Sequence, residues 1–156
     1  MPFAGTIAPV REEDLAALLP LMRGYCDFYE VAPGDDALVG LSRALLAAPE
    51  RDGIQLLARD GTGAPVGFAT IYWSWSTTDG PGRLAIMNDL FVAPQARGTG
   101  VADALIAACR DRARAHGAIA LQWETAPDNT RAQAVYDRAG AVRSQWLTYT
   151  LPVDGG

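Results

Sequence analysis

The chain holds no lysine, a single histidine and only two cysteines in 156 residues. All thirteen basic residues are arginine, so no lysine ammonium is present to be modified, by the protein itself or by a partner. His116 precedes Gly117 at the end of a predicted helix, where a cationic ring suits the helix dipole. With one histidine and no cysteine pair at ligand spacing, neither a zinc site nor a Ser–His–Asp triad finds support, and no metal is expected. Cys26 and Cys109 are too few for a disulfide scaffold and read as reduced thiols of a cytoplasmic protein. No apolar run approaches the ~20 residues that span a bilayer. The opening MPFAGTIAPVREED has no basic start followed by a long apolar stretch, so no secretory signal is expected. A formal charge of −5 and a pI near 4.7 argue against nucleic acid and anionic membrane as partners.

What is present is enough apolar residue, 49%, to build one core, and the length suits a single domain over residues 1–156. Charge is unevenly spread. Residues 1–60 carry ten acids and five arginines, whereas residues 61–156 carry eight of each. A strand is predicted at Ile7–Val10. A helix opens at the acids Glu12, Glu13 and Asp14 and runs to about Tyr29, with Leu15, Leu18, Leu19 and Met22 at helical spacing. Ala32-Pro33-Gly34 breaks it, and Asp35 or Asp36 is placed to cap a second helix that runs to about Ala48. Strands follow at Ile54–Arg59, Val66–Trp75 and Leu84–Val92. A helix is predicted from Gly98 to about His116, a buried strand at Ile119–Thr125, a helix from Thr130 to about Ala139, and one or two closing strands over Val142–Leu151. This order is mixed α/β with one parallel crossover.

The segment Asp89-Leu-Phe-Val-Ala-Pro-Gln-Ala-Arg97-Gly98-Thr99-Gly100-Val101-Ala102 carries the chemistry. A strand ends and a glycine-containing loop leads into a helix whose first amides lack intrahelical partners. The helix dipole, the two glycines and the Arg97 cation together make a plausible pyrophosphate cradle. It is neither a Walker loop nor the three-glycine dinucleotide fingerprint.

Arg97-x-x-Gly100-x-Ala102 has the Gln/Arg-x-x-Gly-x-Gly/Ala form of the acetyl-CoA loop in the GNAT superfamily of N-acetyltransferases. The later Asn129-x-x-Ala132-x-x-x-Tyr136-x-x-x-Gly140 resembles the same superfamily, and the likeness covers nearly the whole chain. Gly67-Phe68-Ala69, the Trp73–Trp75 aromatics and Asn88–Val92 are similar to the diamine (spermidine/spermine) branch. Trp123-Glu124-Thr125 and Ser144-x-Trp146-Leu147-x-Tyr149 are similar to the small histone and polyamine branch. The implied fold is the acyl-CoA N-acyltransferase fold, α/β in class. It has a mixed, mostly antiparallel sheet of six to seven strands, about four helices, and a splay between the fourth and fifth strands.

The resemblance also implies roles. Leu90, Phe91 and Val92 would run beside the pantetheine arm of acetyl-CoA, and the amide of Leu90 or Phe91 would serve as oxyanion donor. Arg97, Gly98, Thr99, Gly100, Val101, Ala102 and Asp103 would hold the pyrophosphate, with the Asp103 side chain turned away or capping the helix. Asn129 would bond the pantetheine, although Asp128 or Asn129 also fits an N-cap. Tyr136 would contact the cofactor and protonate the departing thiolate. The diamine branch has a glutamate where this chain has Asn88, which leaves the base open. Asp89 and Glu124 remain as carboxylates, with Glu124 favoured for amine contact, and strict alternation puts Asn88 and Asp89 on opposite faces of the sheet. Tyr29, Glu30, Asn88 and Glu124 are the expected amine contacts. Asp35 and Asp36 read as a capping pair rather than a substrate patch. The expected activity is acetyl transfer to a primary amine of a small molecule such as a polyamine or amino acid. The rivals are a protein lysine or N-terminal acetyltransferase and a non-catalytic acyl-CoA-binding module. The resemblance also implies a homodimer, with the apolar closing segment Trp146–Val153 in keeping with it.

Overall fold

A computed structural model describes residues 2–154. Five strands form one sheet in the order β1 (Thr6–Pro9), β2 (Gly53–Arg59), β3 (Pro65–Ser76), β4 (Gly82–Val92), β5 (Ala118–Gln122). The first three pairings are antiparallel and β4–β5 is parallel. The helices are α1 (Leu15–Phe28), α2 (Asp35–Ala47), α3 (Val101–Ala115) and α4 (Thr130–Arg138). No described helix is long and apolar enough to cross a membrane.

Alternation along the strands sorts the core into two layers. Leu56, Ala58, Ala69, Ile71, Ala85 and Met87 point to one face, where α3 lays Val101, Leu105 and Cys109 against them. Leu57, Phe68 and Phe91 point to the other, under Leu18 and Met22 of α1 and Leu38 of α2. Helix α1 starts behind Glu12, Glu13 and Asp14, and the Arg11 amide donates to Asp14 Oδ2 at 2.9 Å, which ties the entry to the first turn. Both cysteines are buried and free, as the composition implies.

The expected splay is present. Paired residues of β4 and β5 run only as far as Ile86 with Gln122, and β4 continues to Val92 alone on that side. Four sequence expectations are corrected. Gly34, not Asp35 or Asp36, occupies the N-cap of α2, and Asp35 instead pairs with Arg23, which also donates to the Pro33 carbonyl. Helix α3 begins at Val101, because Gly98 and Gly100 both take positive φ (79° and 85°) and so lie outside the helix. Strand β5 is shorter than expected and only half covered, with Ile119 49% exposed. The closing strands over 142–151 are absent among the described residues, so the sheet has five strands rather than six or seven. That stretch has strand character but no neighbour to bond, and an isolated strand has no ladder to hold it.

Candidate active site

Helix α3 sets the first half of the site. Its first intrahelical bond runs from the Ala104 amide to the Gly100 carbonyl, so the amides of Val101, Ala102 and Asp103 lie ahead of it. The left-handed Gly100 sits at the N-cap, and Gly98 takes the same conformation two residues earlier. A Cβ at Gly98 would meet no atom within 4 Å, so that glycine is needed for backbone angle and not for space. The Thr99 hydroxyl bonds the Ala96 carbonyl at 2.5 Å and closes the loop. Arg97 folds back along the strand end, its Nε donating to the Val92 carbonyl at 3.2 Å and its guanidinium 6.0 Å from the Phe91 ring. The Asp103 side chain does turn away, into a two-point ion pair with Arg138 of α4. This loop fits a diphosphate, with converging amides, a dipole end and one cation.

Strand parity decides which amides face the splay. The Ala93 amide bonds the Val66 carbonyl on β3, so Phe91, two residues back, also turns its amide to β3. The amides of Leu90 and Val92 therefore face the open side. Of the two expected oxyanion donors, Leu90 is the one the ladder leaves free.

The second half of the site lies under α1. A cavity of about 290 Å³ is lined by Tyr25, Cys26, Tyr29, Val31, Asn88 and Asp89. The expectation that Asn88 and Asp89 face opposite sides fails, because β4 carries a bulge there. Thr70 pairs with Asp89 and Ile71 with Met87, so Asn88 is the extra residue and both side chains reach the cavity. Asn88 Nδ2 donates to Asp89 Oδ1 at 3.0 Å, and the Tyr25 hydroxyl donates to the Asn88 carbonyl at 3.2 Å.

Behind Asp89 runs a polar row across three strands. Gln55 on β2 donates from Nε2 to Thr70 Oγ1 at 3.1 Å, and Thr70 hydrogen-bonds the Asp89 carboxyl. Gln55 and Thr70 are buried. Burial raises the Asp89 pKa above the ordinary carboxylate value, while hydrogen bonds from Thr70, Asn88 and Tyr25 oppose the rise. The Tyr25 pKa is raised too, first by burial and then by the nearby Asp89 charge. The Tyr25 ring packs edge-on against Tyr29, Phe68 and Phe91 at centroid distances of 5.1, 5.9 and 6.4 Å. Sequence reasoning missed Gln55 and Thr70. Their signal is a polar residue set inside an otherwise apolar strand, in Ile54-Gln55-Leu56 and Ala69-Thr70-Ile71.

The remaining residues divide. Tyr136 on α4 is half-buried, meets Trp123 edge-on at 5.3 Å, and hydrogen-bonds Thr125. Burial raises its pKa, a charge on Tyr29 would add to that, and the Thr125 bond opposes it. Asn129 is the N-cap of α4, its Oδ1 accepting from the Ala132 amide at 3.3 Å. Glu124 lies exposed beyond the end of β5 and is not among the cavity residues. Glu30 is exposed and takes a positive φ of 57° where α1 ends. Trp73 and His116 stack on each other at 3.9 Å and stand outside the cavity, and His116 is hydrogen-bonded to Arg83.

Comparison with known proteins accords with this geometry. Residues 19–141 match the model of the acetyltransferase (GNAT) family. The chain is 33% identical over 134 residues to an uncharacterized N-acetyltransferase, YhfO, of Bacillus subtilis (strain 168), covering 86% of this chain and 87% of that one. It is 31% identical over 91 residues to a thialysine N-epsilon-acetyltransferase of Caenorhabditis elegans, 56% of each chain. Among solved structures, the aminoglycoside acetyltransferase AAC(6')-Iy bound to a CoA bisubstrate analog superposes with a TM-score of 0.83. That match has 22% identity and covers 95% of this chain and 97% of the other.

Proposed function

This chain belongs to the acetyltransferase (GNAT) family and is an N-acetyltransferase, and from that premise we propose that it acetylates a primary amine of a small cationic molecule. The observation that carries the reading is Asp89. It is a partly buried carboxylate in an aromatic-walled cavity, one residue from the free Leu90 amide. A carboxylate and the faces of Tyr25 and Tyr29 suit an ammonium group. A volume of about 290 Å³ admits an amine and its short chain. The name of the thialysine relative supports an amine on a small molecule.

The steps follow from the placement. Arg97 and the amides of Gly98–Asp103 would hold the diphosphate of acetyl-CoA, and Leu90–Val92 would line its acyl arm. Asn129 contributes to the pantetheine contact with whatever its cap leaves free. The ammonium enters beside Asn88 and Asp89, with Tyr29 and Glu30 at the rim. Asp89 accepts its proton, directly or through one water; its raised pKa improves it as a base near neutrality. The neutral nitrogen attacks the thioester carbon, a C–N bond forms, and the Leu90 amide holds the oxyanion. Collapse breaks the C–S bond, Tyr136 gives its phenolic proton to the sulfur, and the second proton of the attacking nitrogen passes through water to the Tyr136 phenolate. The raised Tyr136 pKa keeps the phenolic proton in place beforehand. Glu124, exposed outside the cavity, is left as a source of attraction for the cation. The protein works in this reading as a cytoplasmic homodimer.

The test is thiol release from acetyl-CoA against polyamines, amino acids, aminoglycosides and a histone-tail peptide, with Tyr136→Phe run alongside. We expect turnover with a small amine, and a fall in kcat without loss of acetyl-CoA binding in the variant. Turnover on the peptide alone would move the acceptor to protein. CoA binding with no turnover on any amine would make the chain a binding module.

A further inference from the structure

Helix α2 does not close fully on the sheet. Between its Ser42, Leu45 and Leu46, Gln55 of β2, and Pro9 and Val10 where β1 ends, lies a second cavity of about 200 Å³. It shares no lining residue with the acceptor cavity, and none of its lining residues is charged. An apolar cavity of ~150 Å³ holds a benzene ring, so this one suits a molecule of about six to eight non-hydrogen atoms.

The polar atoms on its wall have a definite sense. Thr70 hydrogen-bonds Asp89, and a carboxylate only accepts, so the one hydroxyl hydrogen of Thr70 goes there. Thr70 Oγ1 must then accept from Gln55, which turns Nε2 toward Thr70 and Oε1 away from it. Gln55 is 4% exposed, and among the described residues nothing donates to its Oε1. No buried side-chain polar atom of the described residues lacks a partner, so Oε1 reaches open space, and the space that Gln55 lines is this cavity. Ser42, also buried, gives its hydroxyl hydrogen to Met22 Sδ at 3.6 Å. Both polar side chains are thus left as acceptors.

We propose that this cavity is a second ligand site, that it takes a small uncharged molecule joining a hydrogen-bond donor to an apolar body, and that Gln55 and Thr70 pass its presence to Asp89. Two acceptors call for a donor, and a primary amide supplies two N–H groups. An ammonium also donates, but apolar walls without a carboxylate leave its charge unpaired, so the amine substrate is excluded. A donor on Gln55 Oε1 polarises the amide and strengthens the Nε2 bond to Thr70. Thr70 in turn donates more strongly to Asp89 and favours the ionised carboxylate. By linkage, the ligand binds better when Asp89 is ionised. The other titratable groups around Asp89 are Tyr25, Cys26 and Tyr29 of α1 and Tyr72 of β3, phenols and a thiol that carry no charge at acid pH. No arm of the test needs turnover, so the site stands or falls apart from the acceptor reading.

The full chain is titrated with hexanamide and with methyl pentyl ketone, which keeps the chain and carbonyl but puts a methyl in place of the NH₂ group. Binding is followed by amide NMR, with the Gln55 side-chain resonance assigned through Gln55→Met. Hexanamide should shift that resonance and bind roughly 3- to 10-fold tighter than the ketone, the worth of one hydrogen bond. Leu46→Trp, which fills the cavity from a partly exposed position, should abolish binding and leave the far-UV circular dichroism unchanged. Should that variant misfold, the ketone comparison and the Gln55 resonance still decide. Hexanamide affinity should fall about twofold as pH drops through the Asp89 titration and stay flat in Asp89→Asn. No binding, which would leave the cavity to water, would overturn the proposal. So would equal affinity for amide and ketone, binding that survives in folded Leu46→Trp, or an affinity indifferent to pH in the wild type.

Discussion

The donor wall of the cleft and the acceptor wall are made from different parts of the chain. On the donor side the working groups are backbone amides: Leu90 and Val92 at the unpaired edge of β4, and Val101, Ala102 and Asp103 ahead of the first bond of α3. On the acceptor side they are side chains, Asp89 with Asn88, Thr70, Gln55 and Tyr25. Backbone amides depend on chain angles and tolerate most side-chain changes. A buried carboxylate depends on each neighbour that bonds it. The two walls should therefore fail under different substitutions.

The largest effect should come from Asp89→Asn. The amide is nearly isosteric but accepts no proton, so kcat/KM for the amine should fall by roughly 10²–10⁴ while acetyl-CoA affinity holds. Stability should move the other way. Because the folded pKa of Asp89 lies above its ordinary value, the folded state binds the proton more tightly than the unfolded chain. The carboxyl thus contributes stability at low pH that is lost as pH rises through the folded pKa. The Asn variant should melt higher than wild type at neutral pH, and that gain should vanish as pH falls well below about 3.9, where both states are protonated. A lower melting temperature at pH 7 would count against a costly buried charge.

Gly100→Val strikes the other wall. A β-branched residue at φ 85° costs at least the ~1–2 kcal/mol of left-handed backbone, roughly a 10-fold weakening if spent on the loop. Binding of CoA, read by calorimetry, should weaken by that factor. The shape of the amine pH profile should not change. A shifted profile with intact CoA binding would reverse the assignment of the two walls.

These walls also differ in how readable they are from sequence. A site made of backbone needs glycine at the angles that other residues avoid, and Gly98 and Gly100 are visible in the chain. The parallel crossover and the splay follow from the same stretch. The acceptor wall needs a bulge at Asn88, which breaks the alternation that a strand pattern assumes. Without it Asn88 and Asp89 fall on opposite faces, and attention goes to Glu124, which proves to be exposed. Gln55 and Thr70 line up only through the registers of β2, β3 and β4, which no local pattern encodes. The tail at 142–153 shows the same limit: its alternation announces a strand, but among the described residues no strand pairs with it.

Thr70→Val sharpens the account of the acceptor wall without touching the cavity. It removes the bond to Asp89 and leaves the Gln55 amide buried without its partner, at about 1–3 kcal/mol of stability. Since the Thr70 bond holds the Asp89 pKa down, its loss should raise that pKa further. The acid limb of kcat/KM should then move to higher pH, and Thr70→Ser should restore it. A stability loss with an unmoved limb would reduce Thr70 to packing.

The smallest effect concerns Glu30 at the rim. It is the one non-glycine residue at positive φ among those described, and it sits where the Val31 amide closes onto the Cys26 carbonyl at the end of α1. That is the position at which helices usually place glycine. Glu30→Gly should therefore raise stability by about 1 kcal/mol through relief of left-handed strain. If the carboxylate serves the substrate, the same variant should raise KM for a cationic amine a few-fold, less so at high salt, and leave kcat unchanged. Greater stability with an unaltered KM would confine Glu30 to the helix end, and amine recognition would then rest on Asp89 and the tyrosines.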